Sequence, residues 1–387
     1  MRNVKKMMRN IDLPFVIALA IMLGVNLIVL TSASGNIVSG DPFYYVKKQA
    51  LWIVAGIIAM AVVAMFDYKY FPKLFKALYG IMTVLLIGVL FMPAQKGAHR
   101  WYDLGFFDLQ PSELAKLVMI VAFACFIVYR HQDINRLRNL ILSLIFMAFP
   151  AMLILIEPDL GTAMVFIAIF FVMMWVGGVS PKIIGIALLI IVILVVGIFI
   201  YLYFVTGGFQ YVPEEAPRFL PMQPYQINRL IIFINPYMDP LGSGYHMIQS
   251  EVAIGSGGFL GKGFGQGSQV QGNFLPEHHT DFIFSVVGEE FGFLGSFGLI
   301  LLYSIFLYRG VRIAYNAKDM LGTLIVAGVV AMFAFQIFIN IGMTIGIMPI
   351  TGLPLPFLSY GGSGMLVNMM AIGLILSVNL RCQDAIF

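Results

Sequence analysis

Charge is what this sequence has least of. Only 11% of its 387 residues are Asp, Glu, Lys or Arg, against 60% hydrophobic residues and a mean hydropathy of +0.93, a balance that no water-soluble globule of this size shows. The shortage excludes a chain solvated by water over most of its surface and leaves lipid as the solvent. A strong charge of one sign is missing too: 23 basic residues against 19 acidic ones is too small an excess to point to nucleic acid. Cysteine is nearly absent. Cys125, inside an apolar run, and Cys382, near the end, cannot build an extracellular disulfide framework and read as inert thiols. No internal repeat, low-complexity tail or separable soluble domain is visible, so residues 1–387 are expected to form one domain. The start Met1-Arg2-Asn3-Val4-Lys5-Lys6 leads into an apolar run with no small-residue cleavage site behind a short core, which makes it a retained first helix rather than a secretory signal.

What the sequence does have is apolar runs long enough to cross a hydrocarbon core of roughly 30 Å, and only helices or closed barrels can do so with every backbone group paired. The runs are continuous rather than alternating, so the fold class is an all-α polytopic membrane protein. Ten spans are expected, at 13–31, 50–66, 74–92, 113–129, 139–156, 160–178, 183–205, 282–308, 321–348 and 365–380. With the N-terminus in the cytoplasm, the inner segments collect Arg2, Lys5, Lys6, Arg9, Lys69, Lys73, Lys76, Arg130, Arg136, Arg138, Lys182, Arg309, Arg312, Lys318 and Arg381. These are 15 of the 23 basic residues, and the positive-inside rule therefore places both termini in the cytoplasm. The outer side then holds segments 93–112 and 349–364 and a large loop, 206–281, between spans seven and eight. A protein that spends its non-membrane residues outside handles something outside.

Three acidic motifs fall where outer segments enter helices. In Gln110-Pro111-Ser112-Glu113-Leu114-Ala115-Lys116, Ser112 suits an N-cap, Glu113 lies in the first turn where the helix dipole favours an anion, and Lys116 follows on the same face. A local ion pair explains the pattern without function; against it stands the expense of ionisable groups at membrane depth. In Pro276-Glu277-His278-His279-Thr280-Asp281-Phe282, Asp281 again stands at a helix start, where capping alone would account for it. The adjacent histidines beside Glu277 lack zinc spacing. In Glu157-Pro158-Asp159-Leu160-Gly161-Thr162, Pro158 and Asp159 read as helix-entry residues. Topology brings Glu113, Glu157, Asp159 and Asp281 to one membrane face, which suits a polar cavity without saying which residue acts. The glycine run from Gly255 to Gly263 fails as a phosphate loop, because Gly261-Lys262 is followed by Gly263 and Ser256 stands where the first glycine is needed. A flexible re-entrant loop is expected there, with a backbone phosphate nest as the alternative. The stretch from Pro354 to Gly364 has the same ambiguity: its prolines and glycines break the helix, and its backbone must line protein or water.

Together these segments resemble the SEDS family (shape, elongation, division and sporulation). Arg100-Trp101, Asp103-Leu104-Gly105, Gln110 to Lys116, Glu157 to Thr162, Asn235-Pro236, Asp239 to Gly242, Gln249-Ser250, Ala253 to Gly258, Pro276 to Phe284 and Gly352 to Ser363 carry the match in order, over essentially the whole chain. The resemblance implies a peptidoglycan glycosyltransferase that polymerises lipid II on the outer face of the bacterial cytoplasmic membrane. It implies Asp281, Glu113 and Lys116 as catalytic residues and Arg100, Trp101, Thr280 and Ser363 as substrate-binding ones. Phe106-Phe107 and Pro349 to Gly352 read like the elongation branch. Building a β-1,4 bond from an α-linked lipid diphosphate inverts the anomeric centre, so one carboxylate acting as general base suffices, and Asp281 is the choice for it. Lys116, Arg100 or a divalent cation such as Mg or Mn would meet the charge on the leaving diphosphate; the metal's ligands are unknown, and no nucleotide or organic cofactor is expected. The implied partners are lipid II, the growing glycan strand, a class B penicillin-binding transpeptidase and other elongation-complex membrane proteins, with no nucleic acid. The alternatives are a flippase for the lipid-linked precursor, which predicts ions through both halves of the bilayer and repeated halves, and a scaffold in which Asp281 is dispensable.

Overall fold

The computed structural model describes residues 11–34, 41–93, 100–103, 105, 108–210, 212, 224–239, 242–272, 274–276 and 278–382. Among them are thirteen α-helices. The first seven are α1 Leu13–Ser34, α2 Tyr44–Met65, α3 Phe71–Val89, α4 Pro111–Arg130, α5 Leu137–Ile156, α6 Leu160–Val176 and α7 Pro181–Val205. After them come α8 Pro224–Ile234, α9 Ser243–Gly257, α10 Ser268–Gln271, α11 Ile283–Tyr315, α12 Met320–Thr344 and α13 Gly362–Asn379. Nine of these helical segments are long and apolar enough to cross a membrane, and α6, 17 residues or about 26 Å of helix, is the tenth apolar helix among the described residues. Each lies on one of the ten runs expected from the sequence. The basic residues at 2, 5, 6 and 9, together with Phe106-Phe107 and Glu277, lie outside the described residues.

Local chemistry sets the helix starts. Proline opens α4 and α7 at a position whose N–H has no helical partner. Asp159 and Asp319 cap α6 and α12 by accepting from Thr162 N and Gly322 N. Burial then ranks the helices. Over their most apolar stretches α4 is 72% buried and α12 and α13 are each 67% buried, whereas α7 is 0% buried, so three helices form the interior and α7 stands at the lipid-facing periphery. Polar groups inside the bundle find partners across helices: Ser377 of α13 donates to Phe66 O at 2.6 Å, and Tyr303 of α11 to Pro356 O at 2.6 Å.

Two expectations need correction. The eighth span is not one continuous run over 282–308, because α11 breaks at Gly292, whose φ of 62° and ψ of −158° are non-helical. Its first leg, from Ile283 to Glu290, is buried at every residue and belongs to the protein interior. The glycine run preceding it is neither a loose loop nor a phosphate nest: a Cβ on Gly261 would run into Glu290 O, and one on Gly292 into Gly261 N. Lys262 N and Gly263 N donate to the carbonyls of Glu289 and Glu290, each at 3.0 Å. The glycines are there because two backbones touch, and the N–H groups a phosphate would need are used by those carbonyls. The segment before α4 also holds a small hairpin, β1 Tyr102–Asp103 paired antiparallel with β2 Asp108–Leu109.

Candidate functional site

The three acidic motifs are gathered by one segment, 351–364, which runs from the connection after α12 into the first turn of α13. A Cβ on Gly161 would lie 3.0 Å from Thr351 O, one on Gly352 would lie 3.5 Å from Asp281 Oδ2, and one on Gly364 would lie 3.9 Å from Glu113 Oε2. Small residues at these points let a helix-breaking segment run between the motifs. Gly352 is exposed and has a φ of 74°, so the Asp281 carboxylate has solvent-accessible backbone beside it.

Asp281 does not cap α11. The N-cap is Phe282, with no side-chain cap bond, so capping does not account for the Asp at this place. The backbone around it is fixed from three sides instead. Tyr360 N donates to His279 O at 3.0 Å, Ser359 Oγ donates to Thr280 O at 2.7 Å, and Asn340 Nδ2 donates to Asp281 O and to Leu353 O, each at 2.8 Å. Gln49 of α2, fully buried, accepts from Gly361 N at 3.3 Å and steadies the same segment. Asn340 and Gln49 escaped the sequence reading. A buried amide within an apolar span is the signal that could have found Asn340.

Glu113 lies in the first turn of α4, as expected, and accepts from Lys116 Nζ at 2.7 Å. Both are buried, Lys116 completely and Glu113 at 5% exposed. Removing one partner of such a pair strands a buried charge, at a cost of about 3–5 kcal/mol. Ser112 is not the N-cap; Gln110 takes that position. Ser112 instead reaches Asp159 Oδ2 at 3.4 Å, beside Gln110 Nε2 at 3.2 Å and Thr162 Oγ1 at 2.9 Å. Asp159 thus ties the start of α4 to the start of α6, a fastening role that matches its reading as a helix-entry residue.

Arg100, half-buried, donates through Nε to Glu157 O at 2.9 Å and through Nη2 to Pro158 O. The Glu157 side chain beneath is fully buried, and neither of its carboxylate oxygens has a hydrogen-bond partner among the described residues. Burial first, then the nearby charge of Asp159, push its carboxyl up to about 8, against the opposing pull of Arg100. Held above the ordinary carboxylate range, Glu157 is a weaker counter-charge for the guanidinium than an ordinary carboxylate would be. Trp101 is half-buried next to β1, and Ser363 is half-buried in the first turn of α13. His278 is buried and both of its ring nitrogens meet backbone carbonyls, so it does not present a metal ligand. Among the described residues no three His, Cys, Asp or Glu side chains converge as a metal site.

Known proteins share this architecture. Residues 12–383 match the family FTSW_RODA_SPOVE, described as a cell cycle protein. The chain is 37% identical over 376 residues to stage V sporulation protein E of Bacillus subtilis, covering 95% of this chain and 96% of that one. It is 36% identical over 373 residues to the peptidoglycan glycosyltransferase MrdB of Escherichia coli K12, covering 96% and 94%. Among solved structures, a chain of a peptidoglycan synthase complex described as coordinating polymerization and crosslinking superposes with a TM-score of 0.78 at 29% identity, covering 96% of this chain and 98% of that one. The rod shape determining protein RodA of Thermus thermophilus superposes with a TM-score of 0.67 at 27% identity, covering 95% and 96%.

Proposed function

This chain belongs to the FTSW_RODA_SPOVE family of cell cycle proteins and is a peptidoglycan glycosyltransferase like the relatives named for that activity; on that premise we propose that it polymerises lipid II at the outer face of the cytoplasmic membrane, with Asp281 as general base. The observation that carries the assignment to Asp281 is its setting. It is an acidic residue at a helix start that does not cap the helix, its backbone is held by Asn340 and its neighbours by Ser359 and Tyr360, and its carboxylate lies beside exposed Gly352.

In this reading the acceptor sugar hydroxyl gives its proton to Asp281 as its oxygen attacks the anomeric carbon of the donor, and the C–O bond to the lipid diphosphate breaks with inversion. Holding the backbone on three sides keeps the base within reach of that hydroxyl, which is where most of the entropic advantage arises. Arg100 meets the leaving diphosphate: two of its donors are on carbonyls, a guanidinium has five, and Glu157, a weaker counter-charge than an ordinary carboxylate, leaves more of its charge free to act. Lys116, wholly buried and paired with Glu113, serves as the internal brace of the α4 start against Gly364 rather than as an exposed phosphate ligand. Trp101 offers a flat face for a sugar. Thr280, next to Asp281, and Ser363, in the first turn of α13, serve as substrate contacts. A divalent cation remains part of the proposal only as a companion of the diphosphate, since a protein-only cluster is lacking among the described residues.

Elongation rather than division is the proposed setting, on the strength of Pro349 to Gly352 and Phe106-Phe107. A crosslinking transpeptidase of class B is the proposed partner, supported by the likeness to a chain from a complex that joins polymerization to crosslinking. The test is polymer formation from lipid II by the purified protein with its transpeptidase, comparing wild type with Asp281→Asn. The amide keeps shape but cannot take a proton. Glycan strands from wild type and at least a roughly 10²-fold loss in a folded variant are expected; equal polymer from both would remove Asp281 as the base.

A further inference from the structure

His278 is 4% exposed, and each of its ring nitrogens meets a carbonyl oxygen: Nδ1 meets Leu275 O in its own turn, and Nε2 meets Ala33 O at 2.7 Å. Carbonyls only accept. A neutral imidazole has one N–H and one lone pair, so it can satisfy one of these oxygens and must face the other lone pair to lone pair; only the doubly protonated ring donates to both. Ala33 lies in the last turn of α1, where carbonyls lack helical partners and the helix end is negative, a position that favours a cation. Three residues further on is Asp281, and the residues between are clamped through His279 O and Thr280 O. We infer that His278 is a positioning residue that, as an imidazolium, caps the end of α1 and fastens the Asp281 segment to it, so that the placement of the base depends on this ring keeping both protons.

His279, with its ring centroid 5.9 Å from that of His278, stands on the same turn. On the α1 side, Ser32, next to Ala33, donates to Glu290 of α11, behind which Glu289 is tied to Lys262 at 2.7 Å. Glu277, the preceding residue, lies outside the described residues. The C-terminal end of α1 favours the charged ring; a charge on His279 would oppose it.

The inference rests on Asp281 being the base, and the experiment separates the two. Full-length protein carrying ¹⁵N-labelled histidine is assigned through His278→Arg, and its ring nitrogens are read across pH; polymer formation is measured over the same range for wild type, His278→Arg and His278→Gln. Two protonated nitrogens near neutral pH are expected, with wild-type turnover falling roughly tenfold, the effect of losing one such bond, as the ring loses its second proton. His278→Arg, which donates at every pH, keeps its turnover through that window with unchanged KM, and His278→Gln has a lowered kcat throughout. One protonated nitrogen at neutral pH, or superimposable pH profiles for wild type and His278→Arg, overturns the inference. If Asp281→Asn polymerises normally the base assignment falls, while the ring nitrogens still report whether His278 donates twice.

Discussion

Glu157 shows what a single buried proton can do. It sits in the short connection between α5 and α6 with no exposed surface, and burial followed by the charge of Asp159 lifts its carboxyl to about 8 from the ordinary 4.5. The folded protein therefore holds this proton more tightly than the unfolded chain. Stability is fully present below the ordinary carboxylate range and is lost as pH rises toward about 8. Glu157→Gln, which has no proton to lose, is expected to unfold at the same temperature as wild type at about pH 4 and roughly 2–4 °C or more above it at about pH 8. Thermal scans in detergent at the two pH values check this, and parallel behaviour of the two proteins would mean that Glu157 stays ionised. The same residue scale is where the sequence was least informative. Glu157, Asp159 and Glu113 are all acids at helix entries, yet one is a buried acid held above the ordinary carboxylate range, one a double-helix fastening and one half of an internal ion pair. Which is which depends on groups that lie up to 57 residues away, as Arg100 does from Glu157, and no local spacing encodes that.

At the scale of elements, α11 is the informative case. Hydropathy marked its membrane leg correctly because apolarity is a property of composition, but the break at Gly292 and the wholly buried leg before it were invisible to a window that averages across both. The break requires a residue with φ near 62° whose Cα touches the Gly261 backbone, and glycine is the residue that allows both. Gly292→Ala is expected to destabilise the fold by about 2–4 kcal/mol, read as a lower melting temperature and a smaller monodisperse fraction, with polymerisation lost in proportion to folded protein. An unchanged melting temperature would show that the two backbones can part at little cost. By contrast α7, which buries only Leu202, was read as simply another span, and its peripheral place follows from what packs against it rather than from its own residues.

Across the whole molecule, the expected alternation of ten apolar helices would put the three acidic motifs on the outer side and the basic connections on the inner one. This orientation has a direct check. Tyr237 and Tyr315 are 75% and 87% exposed and, in that expected orientation, belong to opposite sides. A membrane-impermeant maleimide applied to intact cells is expected to label Tyr237→Cys but label Tyr315→Cys only after permeabilisation; the reverse pattern would invert the molecule and place Asp281 in the cytoplasm. The sequence by itself determined that the chain lives in lipid, where its ten apolar helices lie and which motifs stand at helix entries, because these follow from transfer free energies and local chemistry that each segment carries alone. Only the tertiary structure decided that segment 351–364 draws the motifs together, that Asn340 and Ser359 hold the Asp281 backbone, and that the glycine run closes on Glu289 and Glu290 instead of on a phosphate. Those outcomes are contacts between distant parts of the chain, set by packing and by the need to pair every buried backbone group.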